Sequence, residues 1–308
     1  MRLQFQFLET VNGLDNSNLQ IIPRIRQQLG EATTAPGMVM ISLSAVALGA
    51  AFGGYLPLIS LWMETFNISF QKIGIVCGAS AVGVVSSAYY APKLAARYGY
   101  IATINVGLVV AAIMTVAFRF TDNYGLWLAL RFVSGLGLGL HWVLTEAWLA
   151  NIVTEKYRTR VMAIYATAIS IGFAIGPMVI WLFGALSIIP FIIMGALLIL
   201  AALPILRLKG HEPKDSQTRS ASPLILIKKA PTVASACIVV GSVDLALISL
   251  LPAMITRTPE AAPILALIIV PAMAIGATIL QYPIAIIADK HGLRTVSYTH
   301  LRAHETSP

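Results

Sequence analysis

Residues 126–151 read LWLALRFVSGLGLGLHWVLTEAWLAN. At about 1.5 Å of rise per residue, a run of this length crosses the ~30 Å hydrocarbon core of a bilayer as one helix. Yet Arg131, His141 and Glu146 lie inside it. Ionisable groups at membrane depth are costly unless they face a protein interior or a wet cavity, so each is a candidate functional residue. Gly135, Gly137 and Gly139 add a groove of small residues that lets a neighbouring helix approach closely. An apolar helix with a charged inner seam points to a solute pathway.

The rest of the chain has the same character. Its 308 residues are 57% hydrophobic and 11% charged, against about a quarter charged in soluble domains, and the mean hydropathy is +0.81. The apolar runs are long and continuous rather than short and alternating, which favours helices over a barrel. The fold class expected is an all-α polytopic membrane protein. Its spans are 38–63, 72–92, 101–119, 124–151, 161–182, 184–206, 232–256 and 263–288. Trp62, Trp127 and Trp181 lie near span ends, where indole prefers the membrane interface.

The net charge of +8 does not imply a nucleic-acid partner, because the basic residues sit in short loops between apolar spans. Lys93 and Arg97 follow span two. Lys156, Arg158 and Arg160 follow span four, and Arg207, Lys209, Lys214, Arg219, Lys228 and Lys229 follow span six. Lys290 and Arg294 follow span eight, whereas the alternate loops are poor in Lys and Arg. The positive-inside bias therefore predicts a cytoplasmic N-terminus. Cys77 and Cys237 fall inside spans with no metal or redox spacing, and no HExxH, phosphate-loop or GxSxG pattern occurs in its required setting. No enzyme activity, cofactor or metal is expected.

The chain divides into a polar cytoplasmic tail (1–37), a six-span bundle (38–206), a polar linker (207–231) and the start of a second bundle (232–296). The final segment, 297–308, turns polar as SYTHLRAHETSP, resembles translated adapter sequence and is set aside as a non-native tail. The protein is expected to be truncated at this end. A long tether between two helix sets is the plan of a transporter built from related halves. An internal repeat supports it: PKLAARYGY at 92–100 and AIIADKHGLR at 285–294 both place a basic residue two positions before a glycine. Each follows the second span of its set, where glycine makes the tight turn.

These two loops resemble the G-x-L-A-D-R-x-G-R-K motif of the major facilitator superfamily. The second copy fits through Ala288, Asp289, Lys290, Gly292 and Arg294. The first departs, with Ala96 in place of the aspartate and Tyr100 in place of a basic residue. RFVSGLG at 131–137 is similar to the family's R-x-x-x-G-x-G motif, whose arginine is associated with proton transfer. GFAIGP at 172–177 is similar to the core of the motif associated with antiporters, although Ala163 stands where that longer motif has an earlier glycine. TEAWL at 145–149 and YRTRV at 157–161 look like the YcaD-type branch of bacterial members. The resemblance implies the major facilitator fold, here an N-terminal six-helix bundle plus the first two helices of the C-terminal bundle, in the bacterial inner (plasma) membrane.

Several residues carry the functional expectation, each with a structural alternative. Glu146 is either a titrating carboxylate or a partner of Arg158 or Arg160. Arg131 is about 22 Å away along the helix and about 60° around it. It serves proton transfer, as the resemblance implies, or supports the glycine seam through backbone carbonyls. His141 suits a proton relay by its ordinary pKa or is a hydrogen-bonded packing residue. Asp244, deep in span seven, binds substrate or proton, or makes a structural hydrogen bond. Trp142 and Trp148 fill the core or stack on a ligand. Gly172, Gly176 and Pro177 allow close approach or a kink. Arg97, Gly99, Asp289, Lys290, Gly292 and Arg294 form candidate gating loops, with Lys93 setting topology.

The function expected is secondary active transport, proton-coupled, of a small organic solute by alternating access, with a slight preference for export of drugs or metabolites. The expected partners are that solute, protons and the lipid bilayer, with a monomer as the full-length unit. The alternative is a non-transporting membrane receptor or sensor on the same scaffold.

Overall fold

The computed structural model describes residues 37–153, 155–213 and 231–257, together with 265, 268–276 and 279. The described residues form helices α1 (Met38–Glu64), α2 (Phe70–Tyr98), α3 (Tyr100–Ala117), α4 (Tyr124–Ile152), α5 (Glu155–Phe183), α6 (Ile189–Leu206) and α7 (Pro231–Thr256), with a 3-10 turn at Phe118–Phe120. All seven helices are long and apolar enough to cross a membrane, and no strand occurs among the described residues. The tail at 1–36, most of the linker, the Asp289–Lys290–Gly292–Arg294 loop and the segment 297–308 lie outside the described residues. Span eight is described only at its helical positions 265, 268–276 and 279.

Local chemistry sets the helix ends. Asn123 caps α4, its Oδ1 accepting from the Leu126 N–H at 3.0 Å. Gly99, at φ +86°, alone turns α2 into α3, a left-handed geometry that glycine adopts without a Cβ penalty. Lys93 and Arg97 were expected in a loop after span two. They sit instead on the last turns of α2, because Leu94, Ala95 and Ala96 continue the helix. α6 begins at Ile189 rather than 184: Gly184 adopts φ +76°, and Pro190 sits in the first turn, where its missing N–H costs nothing.

Packing follows the small residues. α1 lies against α5 and α6, α4 lies against α2 and α3, α3 meets α6, and α7 rests on α1 and α2. At the α1–α5 seam, a methyl group on Gly172 or Gly176 would overlap the Val46 and Ala50 carbonyls. One on Gly49 or Gly53 would overlap the α5 backbone at Ile169 and Phe173. Each helix thus supplies glycines four apart to the other's backbone. The three glycines of α4 divide between two neighbours. Gly135 and Gly139 face α2 at Ser80 and Ser87, while Gly137 faces Gly107 of α3. Two residues turn a helix by about 200°, so alternate glycines open opposite sides.

One end of the bundle carries the connections at Gly99 and Val153 and the exposed basic residues Arg97, Arg158, Arg207 and Lys209. This is the basic end. The far end is tied by aromatic packing: Trp127 stacks on Phe118 (5.6 Å between centroids, 14°), and Phe66 sits edge-on to both Trp127 and Trp62. Trp62 and Trp127 are therefore buried within the bundle, not set at its lipid boundary as their span-end positions suggested. Trp127 Nε1 donates to the Thr121 carbonyl at 3.1 Å, and the Arg119 guanidinium covers Trp62 at 4.0 Å. Trp127 thus satisfies its indole N–H inside the protein, while Trp62 is held by ring and guanidinium contacts. Trp181 does remain exposed.

Candidate functional site

The polar residues of α4 separate into three environments. Glu146, in the half nearer the basic end, is half-buried. Its carboxylate accepts a hydrogen bond from Trp142 Nε1 at 2.6 Å, one helical turn earlier. The i, i+4 spacing places both side chains on one face. The Trp142 ring meets Phe52 of α1 edge-on at 6.4 Å, and Phe52 meets Phe173 of α5 at 5.5 Å. All three rings are half-buried. They form an aromatic wall from α1, α4 and α5 beside a carboxylate that has a single protein donor among the described residues.

Thr145, beside Glu146, is fully buried and donates to the His141 carbonyl at 2.7 Å. Its oxygen then accepts from the Tyr165 hydroxyl of α5 at 2.9 Å. That bond ties α4 to α5 immediately behind the carboxylate. The pairing of Glu146 with Arg158 is not made: Arg158 is exposed and donates to the Ala150 carbonyl at 3.4 Å.

His141 points the other way, about 140° around the helix from Glu146. It is fully buried, and its Nε2 lies 2.8 Å from Ser44 Oγ of α1. Ser44 donates its own hydrogen to the Ala201 carbonyl of α6 at 2.7 Å, so the imidazole donates from Nε2. The histidine thereby links α4, α1 and α6.

Arg131 occupies the half nearer the far end and is completely buried. Its guanidinium faces the Tyr55 ring of α1 at 4.9 Å. None of its three nitrogens makes a hydrogen bond of good geometry to the described residues, and its charge lies beside the Tyr55 hydroxyl, which Thr115 and Ser134 also approach. The carbonyl contacts expected of a purely supporting arginine are therefore not made by the described residues. Asp244 lies exposed on α7 with no hydrogen bond or ion pair to described residues. Gly172 and Gly176 sit in the α1–α5 seam, and Pro177 is buried inside α5. Trp148 is buried edge-on to Tyr100.

Phe52, Phe173, Tyr165, Ser44 and Tyr55 were not singled out from sequence, since each is unremarkable within an apolar run. The signal that could have found Phe52 is its place between Gly49 and Gly53, a small-xxx-small pair that mirrors Gly172 and Gly176.

Comparison with known proteins agrees with this architecture. The chain is 26% identical over 265 residues to the uncharacterized MFS-type transporter YfkF of Bacillus subtilis, covering 84% of this chain and 66% of that protein. It is 23% identical over 261 residues to the uncharacterized MFS-type transporter YcaD of Salmonella enteritidis, covering 83% of this chain and 65% of that one. It therefore spans just under two thirds of the length of these relatives. Among solved structures, a D-xylose-proton symporter superposes with a TM-score of 0.55 at 18% identity, over 82% of this chain and 70% of that chain; the likeness is one of fold. The sequence model of the Major Facilitator Superfamily matches residues 41–300, most of the 308-residue chain, and to that superfamily this chain belongs.

Proposed function

We propose that the protein is a secondary active transporter that moves a small organic solute by alternating access and couples the movement to protons at Glu146. The observation that carries this reading is the half-buried Glu146 carboxylate. It has one hydrogen-bond donor, Trp142, and lies beside the Phe52–Trp142–Phe173 wall. Such a carboxylate has spare acceptor capacity for a proton or for a cationic group on a solute. The aromatic faces offer apolar and cation–π contact to the rest of a ligand.

In this reading residues 38–206 form the first bundle, 207–231 the cytoplasmic linker and 232–296 the beginning of the second bundle. Movement of the bundles exposes Glu146 to one side and then the other. Arg97 and Gly99, with Asp289, Lys290, Gly292 and Arg294, close the cytoplasmic end. Arg131 and Asp244 join Glu146 in coupling, while His141 serves the fold through Ser44. Gly172, Gly176 and Pro177 shape α5 against α1, and the resemblance of that segment to the antiporter motif favours export. The setting is the bacterial plasma membrane, with the basic end cytoplasmic and the monomer as the working unit.

The test is ethidium movement driven by an imposed pH gradient in proteoliposomes. Wild-type protein and His141→Gln are expected to move the dye, and Glu146→Gln to retain no more than about a tenth of the rate, the loss that follows removal of a group acting directly in proton transfer. Full pH-driven movement by Glu146→Gln would remove the carboxylate from the coupling step.

A further inference from the structure

Helices α5 and α6 follow one another in the chain but meet each other little, because both lean on α1. α5 does so through Gly172 and Gly176, and α6 through the Ala201 carbonyl, which accepts from Ser44. Between the two a groove of about 470 Å³ runs over the outer side of α1. Leu43, Ala47 and Ala50 of α1 form its floor, and Ile175 of α5 forms one wall. Leu197, Leu200 and Leu203 of α6 form the other wall. Leu43, Ile175, Leu200 and Leu203 are exposed, so the groove opens outwards from the bundle. No residue of α7 lines it.

The groove has a direction. Its lining on α6 runs from Leu197 to Arg207, and its lining on α1 from Ala50 to Met40. Each is ten residues, or about 15 Å of helix. That is half of the ~30 Å hydrocarbon core, the depth of one leaflet. Arg207, exposed at the basic end, is the only charged residue among those that line the groove. The remainder is apolar. A cation at headgroup level above an apolar channel one leaflet deep is complementary to a single kind of molecule.

We propose that this groove is a site for an anionic phospholipid of the leaflet at the basic end, one acyl chain lying between α5 and α6 and the phosphate on Arg207. The site would exist whether or not the protein couples transport to Glu146.

The two parts of the site do different work. A lipid tail leaving the bilayer for a wall of leucines exchanges one apolar contact for another and gains little. The groove therefore positions the chain, and choice among lipids falls to the headgroup. A long arginine at a helix end reaches the headgroup level, where its planar donors match phosphate oxygens in pairs. A zwitterionic lipid also carries a phosphate, but its own cation competes with the guanidinium. The preference is thus for a lipid of net negative charge. Bound there, the lipid fills the gap between α5 and α6 and braces both against α1.

The full chain, purified in detergent, can be titrated with dioleoylphosphatidylglycerol or dioleoylphosphatidylcholine and its bound copies counted by native mass spectrometry. The first copy of the anionic lipid is expected to be held about fivefold more tightly than the zwitterionic one, the factor that one basic residue near an anionic surface contributes. Arg207→Gln is expected to abolish that preference. Lys209→Gln, which removes an equally exposed charge outside the groove, is expected to keep it. Leu200→Trp, which crowds the groove from an exposed wall position, is expected to weaken both lipids at least fivefold. Because Arg207 and Leu200 are both exposed, the lipid-free thermal midpoints of these variants should match the wild type, which separates loss of the site from loss of the fold. Equal affinity for the two lipids in the wild type would overturn the site. So would an equal loss from Lys209→Gln, the mark of a diffuse basic surface, or a Leu200→Trp protein that binds as before. Displacement of the lipid by glycerol phosphate at equal concentration would also overturn it, by showing that the acyl chain plays no part. A dimer that Leu200→Trp breaks would overturn it too, by assigning the groove to a second copy of the chain.

Discussion

At the scale of single residues, α4 carries three ionisable groups whose different surroundings follow from helix geometry. Glu146 has an indole donor and an aromatic wall, His141 has a serine that relays to a backbone carbonyl, and Arg131 has the ring and hydroxyl of Tyr55 beside it but no hydrogen bond of good geometry to described residues. A buried guanidinium without hydrogen-bond partners costs stability. Arg131→Met, which keeps the length of the side chain and removes the charge, is therefore expected to leave the thermal midpoint unchanged or raise it. The same variant is expected to lose pH-driven ethidium movement. A lower midpoint with full transport would mean that the arginine serves the fold alone. The identities of these residues, and their cost at membrane depth, were legible from the sequence. Their partners were not, because Ser44, Tyr55 and Phe52 lie 76 to 97 positions away on α1, and no local spacing announces such a contact.

At the scale of elements, the spans were read from hydropathy nearly residue for residue, as α1 and α4 show. Errors fell where apolar content and helix formation part company. Helix formers carried α2 on to Tyr98 past its polar Lys93, whereas Gly184 and Pro190 delayed α6 within an apolar run. The glycine groove of α4 was legible, but its division between α2 and α3 was not, because it depends on which helices flank α4. The seams themselves make a sharp prediction. Gly53→Ala and Gly172→Ala push a methyl into the partner backbone and are each expected to cost about 1–3 kcal/mol, read as a lower midpoint in detergent. Gly78→Ala meets nothing within 4 Å and is expected to leave the midpoint unchanged or raise it slightly through helix propensity. Equal midpoints for all three variants would show that the seams yield.

At the scale of the whole molecule, Arg97, Arg158, Arg207 and Lys209 collect at one end of the bundle, and the aromatic tie lies at the other with Lys72, Arg119 and Arg257. The charge bias that predicted this division is a property of loops and needs no knowledge of packing. Orientation can be checked directly. With cysteine placed at Lys209 or at Leu186, an impermeant thiol reagent added to intact cells is expected to label the Leu186 position at once. The Lys209 position is expected to react only after permeabilisation. The opposite pattern would invert the protein in the membrane. The course of the chain between spans, by contrast, was not legible. That α1 lies between α5 and α6 while α4 lies between α2 and α3 is written in matched glycines, and these can be paired only once the helices are side by side.

The alternating glycines of α4 leave a last consequence, for heredity rather than mechanics. Because Gly135, Gly137 and Gly139 are confined by two different neighbours, any added side chain should be rejected at these three alternate positions, whereas other apolar residues of similar size should be accepted at half-buried Leu136 and buried Leu138. That is the rhythm ordinarily left by a β-strand. A mutational scan of this part of α4 would therefore record the footprint of a strand on a helix, written by the backbones pressed against its two sides.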